Sequence, residues 1–235
     1  MTDIDILSSL SLEGLTAVDL HESQDRTGAL PGRIKPLMHQ WIVAGPALPV
    51  AFAAGDNLWL HRALLEALPG EVVVAKPFGP EEAGYWGEIM TVAAIARGIG
   101  GLVLDGCVRD RSRLIDLGLP IFCVGLSING TQKLKDGLGS IGEPITIGDV
   151  AIERGDFVYG DEDGVVVVPK ARISEVVSAA RARKEEELEI IQRIKSGEST
   201  LDIYRLPAST GQGLADTGQD LKDVPSVHSL GTRGD

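Results

Sequence analysis

A chain of 235 residues with 43% hydrophobic residues can bury one substantial core, and a single domain is expected rather than two small ones. The formal net charge of -12 excludes a nucleic-acid or anionic-membrane surface as the main partner, because both need a basic footprint. No apolar run reaches the roughly 18 residues of a membrane span, and acids occupy Met1-Thr2-Asp3-Ile4-Asp5 where a secretion signal needs bases, so a cytoplasmic protein is expected.

In chain order, Ile6, Leu7, Leu10, Leu15 and Val18 fall at helical spacing, broken near Gly14, and predict one or two short helices over 3–22. The apolar, Pro-marked segment 41–54 reads as strands inside a sheet with bends at the prolines. Asp56 or Asn57 is placed to cap a helix carrying Leu58, His61, Leu64, Leu65 and Leu68, which stops at Pro69-Gly70. A strand over 71–75, a crossover loop over 76–85, a helix from Trp86 to Arg97, a strand over 102–104, a helix over 111–117 and a strand over 121–124 follow. Their alternation predicts parallel βαβ units with right-handed crossovers. From 144 to 169, short apolar runs separated by Gly148-Asp149, Arg154-Gly155-Asp156 and Asp161–Gly164 predict antiparallel strands and tight turns. The longest helix is expected over 170–196, with Ile173, Val176, Val177, Ala180, Leu188, Ile191 and Ile194 on one side. Residues 1–206 read as one domain and the Gly, Ser, Thr and Asp-rich 207–235 as a flexible tail.

Chemistry is expected where the strand at 102–104 ends, because Asp105, Arg109, Asp110, Arg111 and Arg113 crowd into nine positions after a nearly uncharged stretch. Glu88 opens the preceding helix, whose first-turn amides at Ile89 and Met90 lack intrahelical partners and suit a carboxylate. Twenty residues separate Glu88 from Arg109, enough for one βα unit to set two such ends side by side. Two carboxylates with an arginine between them offer oxygen ligands to a hard divalent cation and a forked donor to an anionic oxo acid. Each member also has an ordinary reading: Glu88 as a dipole-favoured helix start, Arg109-Asp110 as a surface ion pair and cap, Asp105-Gly106 as turn chemistry. Cys107 and Cys123 lack metal or redox spacing, and His21, His39, His61 and His228 show no ligand pairing.

Trp86-Gly87-Glu88, the run from Arg97-Gly98 through Asp105-Gly106 to Arg109-Asp110, Gly118-Leu119-Pro120, and Gly155-Asp156 through Asp161 and Asp163-Gly164 to Pro169 together resemble one family. It contains the regulator of ribonuclease activity A and the class II 4-hydroxy-4-methyl-2-oxoglutarate/4-carboxy-4-hydroxy-2-oxoadipate aldolases. The resemblance covers about residues 12–205. It implies an α/β protein, a compact β/β/α, swivelling-domain-like fold with βαβ units and a long C-terminal helix. It also implies a homotrimer or homohexamer with intersubunit active sites, a small oxo-acid substrate and Mg²⁺ or Mn²⁺. By the same match Asp110 is the metal ligand, Glu88 a ligand through water and Arg109 the residue that holds the oxo acid and its enolate. Gly87, Ile89 and Met90 supply the carboxylate cradle. A partner-subunit glutamate holds metal waters, with Glu185 chosen by spacing from Glu185, Glu186 and Glu187. The regulator has glycine where this chain has Glu88. The implied activity is aldol cleavage to pyruvate with oxaloacetate decarboxylation beside it; the alternatives are a non-catalytic regulator of an RNA-processing endonuclease and an aldolase for a sugar-acid-derived oxo acid.

Overall fold

A computed structural model describes residues 12–79 and 82–207. The expected helical positions Ile6, Leu7 and Leu10, and the tail beyond 207, lie outside them. A short helix α1 (Ala17–Glu22) opens the described chain. Its start is closed reciprocally: Asp19 N–H donates to Thr16 Oγ1 at 3.2 Å and Thr16 N–H to Asp19 Oδ2 at 2.8 Å.

The main sheet is built from β1 (Lys35–Pro36), β2 (Val43–Ala53), β3 (Val72–Phe78), β4 (Gly84–Trp86), β5 (Gly101–Val108), β6 (Ile121–Leu126), β7 (Gly139–Ile141), β10 (Phe157–Asp161) and β11 (Gly164–Val168). Its order is β1-β6-β5-β3-β2-β10-β11, with β4 beside β5 and β7 beside β2. The pairs β2–β3, β3–β5 and β5–β6 are parallel, joined through α2 (Leu58–Glu66), α3 (Glu88–Ala96) and α4 (Arg111–Leu117). These are the expected βαβ units. A separate hairpin pairs β8 (Ile145–Ile147) with β9 (Val150–Ile152). The segment before β1 also runs along β11, where Leu30 N–H donates to Val165 O and Val167 N–H to Gly28 O, so the sheet nearly closes on itself.

Several boundaries differ from the sequence expectation. The segment read as bent strands at 41–54 is one continuous strand, β2, despite Pro46 and Pro49. Neither proline can donate to a ladder. Pro46 stands where the antiparallel partner β10 gives way to the parallel partner β3, and Pro49 still accepts from Gly142 N–H at 2.9 Å. The crossover loop shortens, because β3 runs to Phe78 and β4 occupies Gly84–Trp86. The strand β5 does not stop before Asp105 but continues to Val108, so Arg109-Asp110 follow it directly.

Asp105 is therefore not a turn residue. It sits inside β5, 3% exposed, and its carboxylate accepts a forked guanidinium: Arg33 Nη2 lies 2.7 Å from Oδ1 and 3.0 Å from Oδ2. A charge this deep survives only with such a partner.

The apolar alternation of the strands feeds two faces. On one, Leu48, Val50, Phe52, Val73, Leu102 and Leu104 pack against Leu60, Leu64, Met90, Ala94 and Leu114 of the helices. On the other, Val43, Ala47, Val72, Val74, Val103 and Phe122 pack with Ile145, Ile147, Val150 and Ile152 of the hairpin. Each fully buried Leu, Val, Ile or Phe contributes about 1.5–3 kcal/mol of transfer free energy, and the parallel strands are held chiefly by it. A 3₁₀ turn (Lys170–Arg172) leads into α5 (Ile173–Lys195), the expected long helix. Its Ile173, Val176, Val177 and Ala180 pack on β10, β11 and α1, whereas Leu188, Ile191 and Ile194 are exposed. The chain divides into two compact units between Glu186 and Glu187. In the second, α6 (Thr200–Ile203) is capped by Ser199, whose Oγ accepts Asp202 N–H. Among the described residues no helix is long and apolar enough to cross a membrane.

The buried ion pair gives an asymmetric prediction. Asp105 cannot reach water, whereas the half-exposed Arg33 can swing outward. Arg33→Ala is expected to lower the unfolding free energy by about 2 kcal/mol or more, and Asp105→Asn by about 1 kcal/mol. Urea denaturation of both variants checks the order; equal costs would contradict it.

Candidate active site

The strand β4 is only three residues long, yet it brings the two halves of the site together. It pairs in parallel with β5, with Trp86 in register with Val108, so Gly87 and Arg109 leave the sheet as neighbours. Arg109 N–H donates to Trp86 O at 2.9 Å and locks that register one residue further. Trp86 is buried, and its indole N–H donates to Thr91 Oγ1 at 2.7 Å, which in turn donates to Gly87 O. This chain of bonds fixes the first turn of α3 against the strand that feeds it. Twenty residues of sequence separation become adjacency.

Asp110 has φ 62° and ψ 33°, a left-handed conformation that few residues other than glycine adopt. It occupies the N-cap position of α4 but does not cap that helix with its side chain. Its Oδ2 instead accepts the Glu88 amide at 3.1 Å, at the start of the neighbouring α3. The left-handed backbone thus turns the carboxylate away from its own helix toward the positive end of another. Arg109 Nε lies 3.8 Å from the same oxygen, an ion pair in which both side chains are half exposed.

Gly87 is required by space. Its backbone is extended, which any residue adopts, but a Cβ there would stand 2.5 Å from Asp110 Oδ2 and 3.2 Å from Arg109 Cγ and Nε.

Beside these groups lies a cleft of about 160 Å³ lined by Asn57, His61, Tyr85, Gly87, Glu88, Ile89, Met90, Arg109, Asp110 and Lys133. The structure therefore gathers Gly87, Glu88, Ile89, Met90, Arg109 and Asp110 round one cavity. Glu88 is exposed at its edge, Ile89 turns its side chain outward at 79% exposure, and Met90 is buried beneath. As first-turn residues of α3, Ile89 and Met90 direct their amides toward its N-terminal end. Glu185 is exposed on α5 and does not line this cleft. Among the described residues, no group of three His, Cys, Asp or Glu side chains forms a metal cage.

Asn57, His61, Tyr85 and Lys133 complete the lining, and no sequence motif marks them as site residues. Asn57 stands at the expected helix-cap position, but its side chain makes no cap, and Asp56 Oδ1 accepts the Leu58 amide in its place. Asn57 Nδ2 donates to Tyr85 O at 3.0 Å and approaches Met90 Sδ at 3.6 Å. Burial, and then the charge of Lys133, holds the His61 imidazole below its ordinary pKa. That Asn57 leaves the helix uncapped becomes visible only with the cap geometry, so no sequence signal points here.

Comparison with known proteins gives the class. Residues 9–167 match the RraA-like family model, described as Aldolase/RraA, and the chain belongs to that family. A Halalkalibacterium halodurans protein named "Putative 4-hydroxy-4-methyl-2-oxoglutarate aldolase" is 36% identical over 182 residues, covering 77% of this chain and 85% of its own. An uncharacterized protein of Methanocaldococcus jannaschii is 33% identical over 183 residues, covering 76% and 86%. Among solved structures, an uncharacterized Pseudomonas syringae protein superposes with a TM-score of 0.73 at 32% identity, covering 85% of this chain and 93% of that one. Streptomyces coelicolor RraAS2, described as an unusual member of the RNase ES inhibitor RraA protein family, superposes with a TM-score of 0.66 at 29% identity, covering 79% and 96%. The β/β/α architecture expected from sequence is this family's fold.

The Gly87 contact gives a coupled prediction. At an extended glycine, alanine ordinarily stabilises by about 0.4–1 kcal/mol. Here Gly87→Ala is expected to destabilise by about 1 kcal/mol or more, because the added methyl must displace the Asp110 carboxylate. In an Asp110→Ala background most of that cost should vanish. A double-mutant cycle by chemical denaturation measures it, and additive costs would contradict the contact.

Proposed function

We propose that this protein is a divalent-metal-dependent aldolase that cleaves a 4-hydroxy-2-oxo dicarboxylate or tricarboxylate to pyruvate and a second oxo acid, and decarboxylates oxaloacetate as a side reaction. The observation that carries the reading is the Asp110 carboxylate, held in a left-handed turn beside Arg109, with the first-turn amides of α3 beside it. The named aldolase relative supports the same chemistry.

The donor set fits Mg²⁺ or Mn²⁺. Both available groups, Asp110 and Glu88, are hard carboxylates, and Mg²⁺ is commonly held by one or two carboxylates while keeping several waters. The second oxygen of Asp110 carries no hydrogen bond among the described residues, so it remains able to coordinate. Asp110 would hold the ion directly and Glu88 through water, with Glu185 of the partner subunit steadying a further water. A bound divalent cation supplies Lewis-acid polarisation of the substrate's 2-oxo group.

The chain's own residues then divide the work. The Ile89 and Met90 amides, with Gly87 leaving room beside them, hold the pyruvyl carboxylate at the positive end of α3. Arg109 pairs with the 2-oxo oxygen as it gains charge. As the C3–C4 bond breaks, the 4-hydroxyl proton passes to solvent water in the open cleft, C4 becomes a carbonyl carbon, and the electron pair passes to the pyruvyl half as an enolate. The enolate takes its C3 proton back from solvent to complete pyruvate. Loss of CO₂ from oxaloacetate generates the same enolate, so one arrangement of Arg109 and amides serves both reactions.

We further propose a trimer or a pair of trimers. Ile89, Val92 and Ile95 recur on one exposed face of α3, apolar surface that a second copy would bury. The regulator-family neighbour from Streptomyces coelicolor motivates the competing reading of a non-catalytic binding protein, against which Glu88 stands.

Asp110→Ala is expected to lower pyruvate release from 4-hydroxy-4-methyl-2-oxoglutarate and from oxaloacetate by at least about 100-fold, the usual cost of removing a transition-state stabiliser. A chelator should do the same to the unaltered protein. Lactate-dehydrogenase-coupled assays read both; turnover indifferent to the chelator and to the mutation would refute the site. If Glu185 serves a partner's site, inactive Asp110→Ala and Glu185→Ala subunits should regain part of the activity on mixing and reassembly, and none if each site is complete within one chain.

A further inference from the structure

The peptide joining Gly87 to Glu88 is held at both ends. Its N–H donates to Asp110 Oδ2 at 3.1 Å, and its C=O accepts from the Thr91 amide at 3.1 Å and from the Thr91 hydroxyl at 3.1 Å. The hydroxyl in turn accepts the Trp86 indole N–H at 2.7 Å. The direction of every bond is forced. Indole and amide N–H groups only donate, whereas carbonyl and carboxylate oxygens only accept, so the single Thr91 hydroxyl proton has to point at Gly87 O. These groups therefore form one series that runs from Trp86 through Thr91 and the Gly87–Glu88 peptide to Asp110, with every donor facing toward the carboxylate.

Burial separates the two ends of this series. Trp86 is 1% exposed, Thr91 is 0% exposed and Gly87 is buried, so water does not compete for the bonds that begin it. Asp110 stands exposed at the cleft. Bonds linked in one direction polarise one another, and they do so most in a dry setting. Satisfying a buried indole N–H explains a hydroxyl beside it, and a threonine inside a helix commonly bonds back to the carbonyl four residues earlier. What is particular here is the carbonyl that receives it. Gly87 O belongs to the peptide whose N–H meets Asp110, so whatever fixes the plane of that peptide also aims its N–H at the carboxylate.

Building on the aldolase reading, we propose that Thr91 and Trp86 are positioning residues for the Asp110 carboxylate. The relay holds Oδ2 on the Glu88 N–H, so that Asp110 offers a metal its other oxygen in a fixed direction. The buried core thereby sets the geometry of a ligand at the surface, although neither Thr91 nor Trp86 touches metal or substrate. Chelation through both oxygens competes with the Glu88 bond. The relay therefore favours a small cation that keeps its waters, such as Mg²⁺ or Mn²⁺, over Ca²⁺, which accepts bidentate carboxylates.

The test measures metal binding instead of turnover. Free Mn²⁺ is read by its electron paramagnetic resonance signal, and Ca²⁺ is added as a competitor. Thr91→Val keeps the shape of the side chain and removes the hydroxyl. Its Kd for Mn²⁺ is expected to rise about 10-fold, the usual cost of losing a group that orients a metal ligand, and its preference for Mn²⁺ over Ca²⁺ to fall. Thr91→Ser keeps the hydroxyl and should bind like the unaltered protein. Trp86→Phe removes only the first donor and should move both quantities in the same direction by less, so a poorly folding Thr91→Val does not end the test. A folded Thr91→Val with unchanged Kd and preference overturns the relay while leaving the aldolase reading in place. Without metal, Thr91→Val should cost less stability in an Asp110→Ala background than in the unaltered chain, and equal costs would overturn the coupling. Mn²⁺ binding that does not depend on Asp110 overturns the metal reading, and the role of the relay with it.

Discussion

The Asp110 carboxylate, bound to the Glu88 amide across two chain segments, is the contact on which the site depends, and three separate features make it possible. The backbone at Asp110 is left-handed, the Trp86–Val108 register puts two strand ends in contact, and Gly87 leaves the space where a Cβ would collide. None of these stabilises the fold for its own sake. A left-handed non-glycine residue costs about 1–2 kcal/mol, and a glycine at a helix start forgoes a better cap. Costs of this kind persist where the surrounding structure over-determines them, and here the buried sheet does so.

The rest of the fold explains how that strain is held. Parallel strands buried on both faces give β5 little freedom, and the Arg33–Asp105 pair adds a tie within the strand itself. The site sits at the carboxyl ends of β4 and β5, where parallel sheets leave a crevice between successive crossovers. Its electrostatics are graded. An acidic protein places Arg109, Lys133 and the positive end of α3 round one cleft, which favours a small anion over the polyanions its net charge repels.

Much of this is legible in the amino-acid sequence. Helical spacing of apolar residues marks α2 and α5, and short apolar runs mark the parallel strands, because those elements are held by apolar burial that leaves a pattern. Arg109-Asp110 directly after β5 and Glu88 at the start of α3 point from sequence to the place where the fold forms a cleft. What the pattern hides has specific causes. Asp105 looks like turn chemistry because Asp-Gly is a turn signal; its partner Arg33 lies 72 positions away, and no local pattern encodes a long-range ion pair. The prolines of β2 suggest bends because the ladder's change of partner at Pro46 belongs to the sheet and not to the segment. Asn57, His61 and Lys133 are invisible as a group, since a loop without periodicity brings Lys133 to a helix that reads as ordinary. Family resemblance fills part of the gap by implying roles for Gly87, Ile89, Met90 and Arg109.

The central claim is that one chain presents Asp110 to a divalent cation and the α3 amides to an oxo-acid carboxylate at the same time. A crystal structure of the protein soaked with Mn²⁺ and pyruvate, with the metal located by its anomalous signal, tests it most directly. The account predicts an anomalous peak in direct coordination of Asp110, at about 2.0–2.3 Å, with the pyruvate carboxylate on the Ile89 and Met90 amides and Arg109 at the 2-oxo oxygen. Metal bound elsewhere, or pyruvate seated away from the first turn of α3, would contradict it.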